Sequence, residues 1–162
     1  MSTIYVVRGV GTASTAMASY DAALAAANVH NYNLVRVSSV IPADATVTPV
    51  DSAPDLGPAG NRLTVVEARE TAAAGSRETV TAALGWTTGP GPGLFYEASG
   101  ADPETVRERV ERGLDEGRSL REWTFDDERT VVVTADVDAE SGGFTTAVAL
   151  AVYGESESVF RS

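Results

Sequence analysis

Asn33-Leu34-Val35-Arg36-Val37-Ser38-Ser39-Val40-Ile41-Pro42 is the stretch on which the reading of this chain turns. Its β-branched residues predict a strand from Asn33 to Val40 that stops at Pro42. Two adjacent serines at the end of a buried strand, just ahead of a proline, need explaining. Taken alone, the segment reads better as a plain strand end whose serines satisfy local hydrogen bonds. Beyond it, residues 43–61 are rich in Pro, Asp, Ala and Gly and predict a loop, with at most a short strand at Thr46–Val50.

Upstream, Ile4-Tyr5-Val6-Val7 predicts a first strand, broken at Gly9-Val10-Gly11. Ser14 or Thr15 can cap an alanine-rich helix that carries Met17, Tyr20 and Leu24 and runs to about Asn28. Downstream, the pattern predicts a strand from Leu63 to Ala68 and a helix from Ser76 to Leu84. A turn at Gly89-Pro90-Gly91-Pro92-Gly93 then leads into a strand from Leu94 to Ala98. The clearest helix follows Asp102, an N-cap with Pro103 at the first helical position and Glu104 at the positive end. Val106, Val110 and Leu114 form its apolar stripe. Thr130–Val137 and Phe144–Tyr153 predict a closing hairpin, and the tail from Glu155 is expected to be loose. No repeat or second domain is evident. The expected fold is α+β, one domain over residues 1–162: a layered αββα-type sandwich of mainly antiparallel sheet with flanking helices.

The chain is strongly acidic, with 23 Asp and Glu against 12 basic residues and a net charge of -11. Such a surface repels nucleic acid and anionic membranes and favours a cationic substrate. Adaptation to a high-salt cytoplasm explains most of the charge, because salt at that level screens long-range steering. Every basic residue is arginine, so no lysine can hold pyridoxal phosphate as an internal Schiff base. Without cysteine there is no disulfide, thiolate nucleophile or cysteine metal site. No apolar run approaches the ~20 residues of a membrane span. The N-terminus lacks the basic stretch of a secretory signal, so a cytoplasmic location is expected.

Other motifs carry little. Gly9-Val10-Gly11 lacks the third glycine and the acidic residue of a dinucleotide loop. The two prolines in Gly89–Gly93 have no N–H to offer a phosphate. His30, the single histidine, has no Gly-x-Ser-x-Gly serine to serve and reads as a surface or loop residue. Asp136, Asp138 and Glu140 alternate like calcium ligands, but the glycine and terminal glutamate of that loop are absent, and no metal is expected.

The Asn-Leu-x-Arg-x-Ser-Ser core at Asn33–Ser39 closely resembles the self-processing site of the pyruvoyl-dependent arginine decarboxylase family. The resemblance covers nearly the whole chain in order. Gly9 through Asp21-Ala22-Ala23-Leu24 resembles the family's first strand, loop and helix. Leu94-Phe95-Tyr96-Glu97-Ala98-Ser99-Gly100 resembles its catalytic-acid strand, and Thr105-Val106-Arg107 through Trp123 its late helix. One departure is Ala43, where many relatives carry a second proline.

The resemblance implies a cut between Ser38 and Ser39, giving a small chain 1–38 and a large chain 39–162 capped by a pyruvoyl group made from Ser39. A serine hydroxyl is a poor nucleophile without help, and Asn33 matches the family position that assists. The ketone would form a Schiff base with the α-amine of arginine, and agmatine and carbon dioxide would be the products. Glu97 matches the general acid, which must stay protonated at working pH. From the residues alone, that reading and a solvated edge-strand carboxylate are evenly matched. Asp21 matches the residue that grips the guanidinium in a bidentate fork; otherwise it is a helix-surface aspartate, though set among apolar neighbours. The family forms trimers, often paired into hexamers, with active sites between adjacent subunits. Two alternatives remain: a decarboxylase of another amino acid, and an unprocessed relative with a structural or regulatory role.

Overall fold

The computed structural model describes residues 2–140 and 142–160. In chain order the elements are β1 (Ser2–Ala13), α1 (Ala16–Ala26), β2 (Asn33–Arg36), β3 (Val40–Ile41), β4 (Ala45–Pro49) and β5 (Arg62–Ala73). There follow β6 (Thr79–Thr88), β7 (Gly93–Gly100), α2 (Pro103–Ser119), β8 (Asp127–Asp136) and β9 (Phe144–Tyr153). One sheet runs β2-β5-β9-β1-β4 and the other β3-β7-β6-β8. The β1–β4 and β2–β5 pairs are parallel, and the remaining pairs are antiparallel.

Strand alternation feeds three apolar layers. Along β9, Ala147, Ala149 and Ala151 face the inter-sheet core with Ile4, Leu84, Trp86 and Phe95. Val148, Leu150 and Val152 face the other way, where Ala23, Leu24 and Ala27 of the α1 region cover them. On the far side, Val106, Val110 and Leu114 of α2 pack on Ala83 and Ala98. The layers are helix, sheet, sheet, helix, the α+β sandwich that the sequence predicts. Both helix starts follow the sequence: Thr15 accepts from Ala18 N–H at 3.1 Å, and Asp102 from Thr105 N–H at 2.8 Å.

Five local expectations change. Gly9 and Gly11 do not break β1. They lie within it, under α1, where a Cβ on Gly9 would stand 2.0 Å from the Ala23 carbonyl oxygen. Glycine here serves close approach of backbone to backbone. The segment from Ser76 to Leu84 is not a helix, because most of it is β6, paired on both sides and buried between the inter-sheet core and α2. Alanine's helix preference is worth only about 0.5 kcal/mol per residue and yields to that burial. Asn33–Val40 is two strands, β2 in one sheet and β3 in the other, because the chain changes sheets at residues 37–39. β8 and β9 form no hairpin, since they belong to opposite sheets. The tail is tied down at Glu157, which bridges Arg62; residues 161 and 162 lie outside the described residues. Among the described residues, no helix is long and apolar enough to cross a membrane.

Candidate active site

The paired serines occupy the change of sheets. Val37 N–H still donates to Val65 O of β5 at 3.0 Å, whereas Ser39 O accepts from Phe95 N–H of β7 at 2.7 Å. Packed sheets stand ~10 Å apart, and three residues reach about 10 Å when fully extended. The span from Val37 to Val40 therefore has little slack. Ser38 is exposed and Ser39 half-buried. Ser39 borders a groove of about 280 Å³ with Leu94, Tyr96, Gly117 and Leu120.

Glu97 stands on β7 two residues beyond Phe95, so the two share the inter-sheet side at the sheet edge. The residue is exposed in the single chain, yet partial burial of its carboxyl pushes the pKa above the ordinary carboxylate value. A hydrogen bond from its own backbone pulls weakly the other way. Tyr153, the last residue of β9, completes this corner. Its hydroxyl donates to Val40 O at 3.0 Å, and its ring meets Phe95 edge-on at 6.0 Å. Burial first, and then the charge of Glu97, push its pKa up to about 12. Tyr153 was not singled out from sequence; its only signal there is an aromatic residue ending an apolar strand.

Asp21, on α1, and Asn33, at the start of β2, lie on a different wall, on the α1 side of the first sheet. With Met17, Tyr20, His30 and Arg36 they border an open pocket of about 600 Å³. His30 sits in the turn after α1, with Nδ1 buried and lacking a hydrogen-bond partner. Beneath Tyr20 and Arg36 lies Glu67 of β5, whose side chain is 1 % exposed. It accepts from Tyr20 Oη at 2.5 Å, and from Arg36 Nε and Nη2 at 2.9 and 2.6 Å. Burial, then the hydrogen bond and charge of Glu67, push the Tyr20 pKa up to about 12. The Arg69 guanidinium lies 4.1 Å over the Tyr20 ring. Glu67 also went unnoticed in the sequence, where it reads as one more polar residue in a strand.

The position of Asn33 departs from its expected use as a donor at the cleaved bond. Its Nδ2 donates to Gly60 O at 2.8 Å, so the amide is turned to the 57–61 loop. It precedes Ser39 by six residues of largely extended chain, a reach of up to about 20 Å. A single chain thus holds the candidates in two groups: Asp21 with Asn33, and Ser39 with Glu97 and Tyr153.

An αββα chain with a serine pair strung between its sheets, beside a partly desolvated carboxylate, defines a narrow class. The family model for pyruvoyl-dependent arginine decarboxylase matches residues 3–158. The chain is 55% identical over 163 residues to the pyruvoyl-dependent arginine decarboxylase of Halobacterium salinarum, covering 99% of each. It is 32% identical to the protein of that name from Thermococcus sibiricus (86% of this chain, 89% of the relative). It is also 32% identical to that from Methanopyrus kandleri (91% and 93%). The chain belongs to the pyruvoyl-dependent arginine decarboxylase family of enzymes.

Proposed function

We propose that this chain cuts itself between Ser38 and Ser39 and then decarboxylates L-arginine to agmatine and carbon dioxide. The observation that carries the reading is the anchoring of residue 39 on β7, the strand that bears Glu97. In the cut, Ser39 Oγ attacks the Ser38 carbonyl carbon, and the peptide becomes an ester. Loss of the Ser39 α-proton expels the Ser38 carboxylate and leaves dehydroalanine. Water converts this to the pyruvoyl group and releases ammonia. Residues 1–38 and 39–162 become the two chains.

The surroundings of Ser39 fit a ketone. The carbonyl of residue 39 keeps its Phe95 N–H after the cut, and Glu97 follows two residues along the same strand. The sequence has no lysine to hold an external carbonyl cofactor. When present, the pyruvoyl group supplies a ketone that captures the substrate α-amine and takes up the electrons released with carbon dioxide. Glu97 then delivers a proton to the substrate Cα; partial burial favours the protonated form this requires. Asp21 offers the guanidinium a charge-assisted fork from an open pocket.

The split of the candidates between two walls favours an assembly in which a neighbouring subunit brings its Asp21–Asn33 wall to the Ser39–Glu97 corner. A trimer is the reading adopted, and Asn33 then assists cleavage across that interface. The test is release of labelled carbon dioxide from carboxyl-labelled arginine, ornithine and lysine by the processed protein in high salt. Release from arginine alone is expected. A fully cleaved protein that releases label only from another amino acid overturns the substrate. A chain that never cleaves favours the non-catalytic alternative.

A further inference from the structure

The Glu67 carboxylate serves both groups of candidate residues while touching neither. On one side it holds Tyr20, the residue before Asp21 on α1. On the other it holds Arg36, three residues before Ser39, through two N–H donors to one oxygen. Its side chain is 1 % exposed, whereas that of Arg36 is 62 % exposed. The fixed partner is therefore the carboxylate, and the guanidinium is pinned to it. Beyond Arg36, the backbone is still bonded to the first sheet by Val37 N–H to Val65 O, and Tyr153 Oη of β9 reaches across to Val40 O. After Val37 the backbone leaves for β7.

We infer that Glu67 is a positioning residue that sets both the departure point of the self-cleaving span and the wall from which Asp21 reaches the substrate. The inference rests on the proposed self-cleavage and arginine reaction. Its physical basis is the short span. With about 10 Å to cross and three residues to do it, a shift of 1 Å at Arg36 passes directly to the Ser38 carbonyl. A misplacement of that size at a reacting bond slows the reaction on the order of a hundredfold. The pocket arm is softer, because Asp21 is exposed and its helix is also held by its core contacts.

The two arms can be cut separately. Arg36→Gln releases the cleavage arm, Tyr20→Phe releases the pocket arm, and Glu67→Leu releases both. Self-cleavage is followed by intact mass after synthesis, and KM for arginine is measured on the cleaved fraction. Arg36→Gln is expected to slow cleavage by tenfold or more. Tyr20→Phe should cleave at the parent's rate and raise KM about threefold to tenfold. Glu67→Leu should show both effects. A purely structural Glu67 would lower the unfolding midpoint of all three variants without dividing cleavage from KM. A Glu67→Leu protein that cleaves and binds arginine like the parent overturns the inference and leaves the proposed function standing. Should Glu67→Leu not fold, the single-arm variants decide: parental cleavage in Arg36→Gln, or parental KM in Tyr20→Phe, overturns it. A parent that never cleaves defeats both proposals together.

Discussion

Replacing Gly9 by alanine puts a methyl group where β1 and α1 meet backbone to backbone. The new Cβ would stand 2.0 Å from the Ala23 carbonyl oxygen and 3.2 Å from the Ala26 Cβ. Ordinary contact begins near 3.4 Å, so α1 must retreat by about 1.4 Å along that line. The obstacle is a helix carbonyl in a hydrogen-bonded turn, which cannot swing aside as a side chain would. Overpacking of this kind costs about 1–3 kcal/mol, and the rigid partner puts Gly9→Ala at the upper end. For a domain of this size that is a fall in Tm of roughly 6–12 °C. Asp21 lies two residues before Ala23 on the retreating helix, so KM for arginine should rise as well. The Ser38–Ser39 cut, held by β5 and β7, should proceed. Thermal scans at fixed salt and protein concentration, with intact mass alongside, read all three effects. A Gly9→Ala protein melting within 1 °C of the parent would refute the reasoning, for the helix could not then lie where the steric argument needs it.

Asp21→Asn keeps the shape of the carboxylate but removes its charge. A charge-assisted fork is worth about 1.5–3 kcal/mol, so KM for arginine should rise on the order of tenfold to a hundredfold with kcat changed far less. Glu97→Gln should be processed normally yet lose at least about a hundredfold in kcat, as expected for removal of a general acid; normal turnover would take Glu97 out of that role. The pH profile has a defined sign. In the proposed role Glu97 acts in its protonated form, and burial raises its pKa, so kcat should hold to higher pH than an ordinary carboxylate allows and fall as pH climbs through that pKa. The same limb should be missing from Glu97→Gln. Tyr153→Phe removes the hydroxyl that donates to Val40 O and should destabilise the chain by about 1 kcal/mol while slowing the cut, measured as Tm and cleavage half-life.

Where a residue's own chemistry decides its place, the sequence was legible. Asp102 and Thr15 are caps whatever surrounds them, and both cap. The stripe of Val106, Val110 and Leu114 needs only a helical period to find the core, and it does. The serine pair was found through family likeness; its placement between the sheets was not, because nothing in Asn33–Val40 marks a change of sheet. A continuous β-branched run looks the same whether one sheet receives it or two. Gly9 and Gly11 misled for a related reason. A glycine that ends a strand and a glycine that lets a helix press on one have the same local sequence, and only the partner distinguishes them. The stretch at Ser76–Leu84 reads as helix because its alanines carry a weak local preference, while what overrides it is pairing with β7 and β8 and burial against α2 and the facing sheet, none of which is local. Glu67 and Tyr153 were illegible for the same cause. Their roles exist only through partners at Tyr20, Arg36 and Val40, 31 to 113 residues away.

The most direct test of the central claim is the intact mass of the purified, salt-equilibrated protein under denaturing conditions. The account predicts two chains divided after Ser38, the larger beginning with a pyruvoyl group in place of serine, and one uncut chain for Ser39→Ala. A parent protein that remains a single chain after long incubation in high salt would contradict it.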